Sequence, residues 1–247
     1  MKIALPRLTG ELQDYVLQGE PINPVALGPD PVRIIFAAAH VVADPFAASD
    51  PSGAAALDWE ATMAFRRYLD GLGLGIAEAM DTAQRGMGLD WPGALELITR
   101  TRKEVPDALV FNGCGTDQLA ASDARSLDQV RAAYLEQMDA IQSIGGRLII
   151  MASRALVRVA RSSDDYVQVY SDILSAADQP VILHWLGDMF DPALKGYWGA
   201  EDFARASETA LAVIRDNAAK VDGIKISLLD QQHEESFRAR LPGGVRL

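Results

Sequence analysis

The stretch Gln179-Pro180-Val181-Ile182-Leu183-His184-Trp185 decides the fold, together with Val221-Asp222-Gly223-Ile224-Lys225-Ile226-Ser227 further along the chain. Each run carries one basic side chain, His184 or Lys225, among mainly apolar neighbours. Short apolar runs of this kind are typical of parallel strands that are covered on both faces. Because side chains alternate along a strand, Lys225 and Ser227 are predicted to share one face of the sheet, opposite the two isoleucines.

The same pattern repeats along the chain from residue 33 onwards. Apolar runs predict buried strands at residues 33–39, 75–80, 108–112, 147–152, 180–185 and 223–228. Apolar residues at helical spacing predict helices at residues 58–69, 92–103, 126–144, 164–177 and 200–220. Asp58 is the predicted N-cap of the first helix. Repeated βα units of this length indicate parallel strands that are joined by right-handed crossovers.

A barrel and an open doubly wound sheet both fit this pattern. An open dinucleotide-binding sheet needs a glycine-rich loop after its first strand, but residues 38–42 contain no glycine. The predicted fold is therefore α/β, a TIM (β/α)8 barrel over residues 33–247. Residues 241–247 read as a turn that enters strand seven, so we expect a truncated sequence that lacks the end of that strand and everything after it. Residues 1–32, rich in Pro and Gly, are predicted to form an N-terminal extension over the barrel.

Composition restricts the partners and the compartment. The formal net charge of −11 argues against nucleic-acid and anionic-membrane partners, because phosphate binding needs clustered Lys and Arg. The single cysteine, Cys114, excludes an intramolecular disulfide and a cysteine-based metal cluster. Pro6 interrupts the N-terminus before a signal-peptide core could form, and no apolar run reaches the roughly 20 residues of a membrane helix. We therefore expect a soluble, cytoplasmic protein.

The candidate reactive groups lie at the predicted strand ends, where barrels of parallel strands place their active sites. The histidines there are His40, His184 and His233, and the other polar residues are Asp81, Cys114, Asp117, Ser153, Arg154, Asp188 and Asp230. Lys225 is the more specific signal, because a lysine that points into a barrel loses hydration, which lowers its pKa. A neutral amine can attack a carbonyl group to form an imine. The alternative is an internal salt bridge from Lys225 to Asp81 or Glu78.

The two runs quoted first resemble the dihydrodipicolinate synthase/N-acetylneuraminate lyase family. That family has a strand of the type Pro-Val-Ile-Leu-Tyr-Asn, and later a Gly-Ile-Lys strand whose lysine forms the imine. Residues 109–115 are similar to the third strand of the family and its Gly-x-Gly turn, which includes Gly113. Residues 75–89 occupy the place of the second strand and its Thr-Thr-Gly-Glu loop.

This resemblance covers about residues 33–247 and preserves the spacing throughout. It implies an eight-stranded βα barrel with extra C-terminal helices, an imine on Lys225 and a homo-oligomer. A small-molecule carbonyl substrate is implied, and no cofactor is expected.

Several positions depart from the pattern of the family. His184 replaces a tyrosine that relays protons, and an imidazole that titrates near neutrality could take this role. The alternative for His184 is a core histidine bonded to a carbonyl. The loop that binds a 2-oxo acid carboxylate becomes Asp81-Thr82-Ala83-Gln84, in which Thr82 keeps a hydroxyl but Asp81 would repel a carboxylate. Met189 stands where the synthases have an arginine.

These departures point away from pyruvate as the substrate. Asp81 and Asp188 would suit a polyhydroxylated carbonyl compound, because its hydroxyl groups donate hydrogen bonds to carboxylates. Arg85 and Arg154 could still receive an acidic group from another direction.

The leading hypothesis is a class I (Schiff-base) lyase, aldolase or hydro-lyase that acts on a small oxo acid or a sugar-derived carbonyl compound. Lys225 and His184 are its catalytic candidates, and the substrate-binding candidates are Asp81, Thr82, Gly113, Ser227 and His40. One alternative is a metal-dependent sugar isomerase or epimerase, with ligands among His40, Glu78, Asp81, His184 and His233. The other alternative is a non-catalytic barrel that binds a metabolite.

Overall fold

A curled sheet of six parallel strands forms the centre of the computed structural model, which describes residues 2–20, 25–26, 28, 33–48, 53, 55–86 and 88–247. Two strands precede this sheet, β1 (Lys2–Pro6) and β2 (Leu12–Val16). The six strands of the sheet are β3 (Phe36–Ala38), β4 (Gly75–Glu78), β5 (Val110–Cys114), β6 (Arg147–Ile150), β7 (Val181–Leu186) and β8 (Val221–Ser227). Strands β3 to β8 are hydrogen-bonded in chain order, and every neighbouring pair is parallel. The predicted parallel βα units are therefore confirmed.

Six helices lie between these strands along the described part of the chain, and a seventh follows β8. They are α1 (Trp59–Gly71), α2 (Trp91–Glu104), α3 (Leu127–Ser143), α4 (Arg154–Val159), α5 (Ser163–Ser175), α6 (Phe203–Asp216) and α7 (Gln231–Arg238). The five predicted helices are present, and Asp58 caps α1 by accepting a hydrogen bond from the Ala61 N–H at 2.9 Å. Apolar spacing does not predict α4 and α7, because six and eight residues are too few to establish a helical period.

The two faces of the six-stranded sheet pack differently. One face contacts the helices through the main hydrophobic core, which includes Leu183 and Ile224. The opposite face, called the inner face below, carries a smaller apolar cluster of Ala77, Met80, Phe111, Ile149 and Met151. Because side chains alternate along β7 and β8, His184 and Lys225 project from the inner face.

The first strand of the sheet is shorter than predicted. The apolar run predicts residues 33–39, whereas only Phe36–Ala38 form β3. This strand lies at the edge of the sheet, where β4 is its single neighbour. Residues outside the register with β4 therefore have no second strand to hold them, and Ile34 and Ile35 are half exposed.

Residues 2–16 form a separate antiparallel hairpin of β1 and β2. Its turn is closed by a hydrogen bond of 2.8 Å from the Arg7 N–H to the Glu11 carbonyl, and Gly10 adopts a φ of 83°. No residue of either strand is buried. Residues 21–24, 27 and 29–32 lie outside the described residues, so the predicted extension over the barrel stays a prediction.

A single parallel bridge joins Gly223 to Arg246 beside β8. The Ile224 N–H donates to the Arg246 carbonyl at 2.9 Å, and the Arg246 N–H donates to the Asp222 carbonyl at 3.1 Å. One bridge is not a strand, so the predicted strand seven, the truncation and the eight-stranded closure stay predictions. No helix in the described part of the chain has the length and apolar character needed to cross a membrane.

A buried ion pair ties α1 to β4. The Arg66 and Glu78 side chains are fully buried and share two hydrogen bonds, of 2.9 Å (Nε to Oε2) and 2.7 Å (Nη2 to Oε1). The Glu78 carboxylate also accepts from the Thr101 hydroxyl at 2.6 Å and from the Ala79 N–H at 2.8 Å. The Glu78 side chain thus lies on the face of the sheet that the helices cover, bonded to α1 and α2. The predicted alternative in which it pairs with Lys225 is therefore wrong.

We expect Arg66→Met to lower the free energy of unfolding by about 3–5 kcal/mol, because it leaves the Glu78 carboxylate buried without a counter-charge. Urea unfolding of the parent and the variant measures the difference. Arg67→Met is the matched control, since Arg67 follows on the same helix but is half exposed and pairs with Glu60 and Glu104 at the surface. Equal losses in the two variants would contradict the assigned role of the buried pair.

Candidate active site

Lys225 lies in β8 directly beside His184 of β7. Burial lowers the pKa of the Lys225 amine, whereas the negative charge of Asp81 raises it, and the net shift is downwards. Within the described residues no carboxylate lies within ion-pair distance of the amine; Glu78 pairs with Arg66, and Asp81 lies 3.6 Å from His184. The predicted alternative of a salt bridge at Lys225 is therefore not formed, and the environment favours a more nucleophilic amine.

His184 is almost completely buried, with an exposed fraction of 1%. Its Nε2 lies 3.3 Å from the Ser227 hydroxyl, and its Nδ1 lies 3.6 Å from Oδ2 of Asp81 without a hydrogen-bond partner among the described residues. Burial, reinforced by the charge of Lys225, lowers the pKa of His184 to about 3. The imidazole is therefore neutral at neutral pH, and the prediction that it titrates near neutrality is wrong. The predicted bond to a carbonyl is absent from the described contacts as well.

Asp81 begins a short 3-10 turn, Asp81–Ala83, after the end of β4. The chain enters this turn through Ala79, which has a left-handed φ of 53°. Burial raises the pKa of the Asp81 carboxyl, and the charges of Lys225, Arg85 and Arg154 oppose this shift. The structure thus brings Asp81, His184, Ser227 and Lys225 together.

Gly113 packs where β5 passes closest to the end of β4. A Cβ on Gly113 would lie 2.5 Å from the Ala79 carbonyl oxygen and 2.8 Å from the Met151 sulfur. Real Cβ atoms do not approach other atoms this closely. The structure therefore gives this predicted substrate-binding residue a packing role, because protein atoms fill the space beside it.

Arg85 holds the loop after β4 against the neighbouring elements. It donates to the carbonyls of Ala79 at 3.2 Å and Gly113 at 3.0 Å, to Gln137 at 3.0 Å, and to both carboxylate oxygens of Asp117. Burial would raise the pKa of Asp117, but the charge and hydrogen bonds of Arg85 lower it below its ordinary value. Arg85 is thus engaged by the protein itself.

A cavity of about 200 Å³ opens at the carboxyl ends of β4 to β7. Its polar lining consists chiefly of Asp81, Arg85, Thr116, Asp117, Arg154 and Asp191. Arg154 pairs with Asp191 at 2.5 Å. Asp81 lines the cavity and also lies next to His184, which is the neighbour of Lys225 on the inner face.

The other predicted residues lie elsewhere. Thr82 and Asp188 are exposed and do not line the cavity. His40 stacks on Phe65 of α1 with ring centroids 4.8 Å apart. Across the described part of the chain, no group of three or more His, Cys, Asp or Glu side chains is arranged to hold a metal ion. The isomerase alternative therefore has no ligand cluster in its favour.

Strand-end reasoning finds Asp117 and Arg154 at the cavity but misses Thr116 and Asp191. Thr116 directly follows the Gly-Cys-Gly end of β5, so the strand-end rule applied to each loop residue would have included it. Asp191 lies several residues beyond β7 and caps a 3-10 turn by accepting from the Ala193 N–H at 3.1 Å. Nothing in the sequence separates Asp191 from the exposed Asp188.

Solved structures share this fold. A dihydrodipicolinate synthase family protein from Coccidioides immitis, described as putative, has a TM-score of 0.60 and 19% identity over 85% of this chain and 58% of its own. Dihydrodipicolinate synthase from Aquifex aeolicus has a TM-score of 0.60 and 11% identity, over 86% and 61%. The chloride-inhibited synthase from Acinetobacter baumannii, complexed with pyruvate, has a TM-score of 0.59 and 15% identity, over 87% and 62%.

The resemblance predicted from the Gly-Ile-Lys strand is confirmed as a shared fold. The chain spans about three fifths of the length of these structures. A family model described as "Protein of unknown function (DUF993)" matches residues 3–247, and the chain belongs to that family. No curated protein matches the sequence.

We expect Gly113→Ala to lower the free energy of unfolding by about 1–3 kcal/mol, because the added methyl group must displace Ala79 or Met151. Thermal unfolding followed by circular dichroism measures this loss. Gly71→Ala is the matched control, since a Cβ on Gly71, at the end of α1, meets no atom within 4 Å. An unchanged stability of the Gly113 variant would show that the inner face has room for a side chain there.

We expect the free energy of unfolding to fall as the pH drops from about 6.5 towards about 3, in part because of His184. The unfolded chain binds a proton at this histidine near the ordinary pKa, whereas the folded chain binds it only near the lowered pKa. Urea unfolding across this window should therefore show a shallower pH dependence for His184→Gln than for the parent. Identical slopes would contradict the lowered pKa.

Proposed function

We propose that this protein is a class I lyase, aldolase or hydro-lyase that forms an imine between Lys225 and a small carbonyl compound. The observation that carries the proposal is the position of Lys225, which projects from the inner face beside a buried, neutral His184. Its amine has a lowered pKa and no ion-pair partner among the described residues. The fold shared with dihydrodipicolinate synthases supports the same class of reaction.

The amine acts as the nucleophile. Its nitrogen attacks the carbonyl carbon, so that a C–N bond forms and the C=O π bond breaks; the nitrogen then loses one proton and the oxygen takes one up, which gives a neutral carbinolamine. A second proton on that oxygen lets it leave as water when the C–O bond breaks, and the nitrogen lone pair forms the C=N double bond of a protonated imine. These proton transfers need a group close to Lys225 that can both accept and donate at neutral pH.

His184 suits this role as a neutral imidazole, because one ring nitrogen can accept a proton while the other donates one. Ser227 lies on its Nε2 side at 3.3 Å and Asp81 on its Nδ1 side at 3.6 Å. We assign proton transfer to His184 through Ser227, and we assign the orientation of the ring and the substrate to Asp81. Thr82 lies in the same turn, but it is exposed and does not line the cavity, so we assign the orientation of the substrate to Asp81 and not to Thr82.

The remaining expectations from the resemblance stay predictions. They are the homo-oligomer and the cytoplasmic location. The non-catalytic alternative also stays open, and the trapping experiment below separates it from the imine-forming enzyme.

We expect reduction with borohydride in the presence of small aldehydes and ketones to leave a stable secondary amine on Lys225. Peptide mapping by mass spectrometry locates the adduct. Lys225→Met should abolish it. Lys195→Met is the matched control, since Lys195 is an exposed lysine that pairs with Glu201 at the surface, and its loss should leave the Lys225 adduct unchanged.

Labelling confined to exposed lysines such as Lys195 would contradict the mechanism. Saturable binding of the same carbonyl compounds to both the parent and Lys225→Met, without an adduct on Lys225, would instead support the metabolite-binding barrel.

A further inference from the structure

We infer that the carbonyl group that reacts with Lys225 is flanked in the substrate by a carbon that bears a hydroxyl group, and not by a carboxylate. The inference rests on the proposed imine at Lys225 and narrows its substrate to neutral hydroxylated aldehydes and ketones. The preference for a neutral substrate follows from the ion pairs at the cavity, in which Asp117 pairs with Arg85 and Asp191 pairs with Arg154. The two arginines at the cavity, Arg85 and Arg154, are the groups that would receive a carboxylate.

Arg85 has no donor left for a ligand. A guanidinium group has five N–H groups, and Arg85 makes five hydrogen bonds, to two carbonyls, to Gln137 and to the two oxygens of Asp117. A substrate carboxylate could bind Arg85 only by displacing Asp117 or by breaking the contacts that hold the loop after β4.

Arg154 is balanced in charge by an aspartate, although only its Nε is hydrogen-bonded within the described residues. Its Nε donates to Asp191 at 2.5 Å, and both residues line the cavity. Two of the three carboxylates around the cavity, Asp117 and Asp191, are thus each paired with one arginine. The third carboxylate, Asp81, has no Lys or Arg within ion-pair distance in the described part of the chain, and its near neighbour His184 is neutral.

Asp81 is the carboxylate that lies close both to the cavity and to the neighbours of Lys225. It lines the cavity, lies 3.6 Å from His184, and is close enough to Lys225 for their charges to interact. A carbonyl carbon bound to Lys225 therefore places one of its substituents near Asp81. A carboxylate there would face a like charge, while the charges of both arginines at the cavity are already balanced by Asp117 and Asp191, and this disfavours it.

A hydroxyl group fits the same position in either ionisation state of Asp81. It donates to the carboxylate form and accepts from the acid form. The cavity also contains a neutral hydrogen-bonding group, the hydroxyl of Thr116, which is hydrogen-bonded to Ser153 at 2.6 Å. A volume of about 200 Å³ accommodates a short hydroxylated chain or several water molecules.

Hydroxyacetone and pyruvate provide a matched pair of probes. Both are methyl ketones, and they differ only in that a hydroxymethyl group replaces the carboxylate. The parent protein is reduced with borohydride in the presence of each probe, and peptide mapping measures the label on Lys225 and on the exposed Lys195. Division by the Lys195 label corrects for the intrinsic reactivity of each ketone.

We expect the corrected labelling of Lys225 by hydroxyacetone to exceed that by pyruvate by about tenfold or more. Asp81→Asn removes the charge but keeps the shape, and it should reduce this preference by about tenfold. Asp81→Ser serves as a second variant, and a thermal melt of each confirms folding. The ratio in the parent tests the inference without any variant.

Equal or faster labelling of Lys225 by pyruvate in the parent would overturn the inference and leave the imine mechanism intact. An unchanged preference in both folded Asp81 variants would also overturn it. If neither probe labels Lys225 above Lys195, the proposed imine itself fails, so the two failures are distinguishable.

Discussion

The register between β7 and β8 places Lys225 opposite His184, and the candidate site depends on this pairing. Near the start of the two strands the register shifts between Val181 and Ile182, where β8 contains one extra residue, Asp222. Such a bulge changes which residues face each other on neighbouring strands. Without it, Ile224 and not Lys225 would lie opposite His184. Arg246 contacts the backbone at this point, so the bulged segment is held from its other side as well.

The electrostatics of the site follow from its position on the inner face. A buried imidazole remains neutral because burial penalises its charged form, and the neighbouring lysine adds to the penalty. The same burial favours the neutral form of the Lys225 amine, whereas Asp81 favours the charged form. The positive charge of Arg85 lowers the pKa of Asp81. The hydrogen bonds of Arg85 hold the loop that carries Asp81. Arg85, which the sequence analysis names as a possible receiver of an acidic substrate group, therefore has a structural role.

Much of the fold could be predicted because its signal is local. Alternation within each run assigns Lys225 to the face opposite Ile224, and helical spacing finds the five longer helices. Short or edge elements were harder, since β3 has one neighbour and α4 has only six residues. The hairpin of β1 and β2 is not predicted by the sequence pattern, because its two five-residue strands bury no residue and β2, Leu-Gln-Asp-Tyr-Val, shows no apolar alternation.

By itself the sequence determined the parallel βα architecture and the face on which Lys225 lies, because these depend on residue order and alternation, whereas the bulge that sets Lys225 opposite His184 came from the tertiary structure. Only the tertiary structure decided the protonation state of His184, the pairing of Glu78 with Arg66, and the packing role of Gly113. It also decided that Asp81 is the carboxylate at the cavity without an arginine. The reason is physical: a pKa depends on how much water and charge surround a group, and the partners of a charged side chain come from segments far apart in the chain.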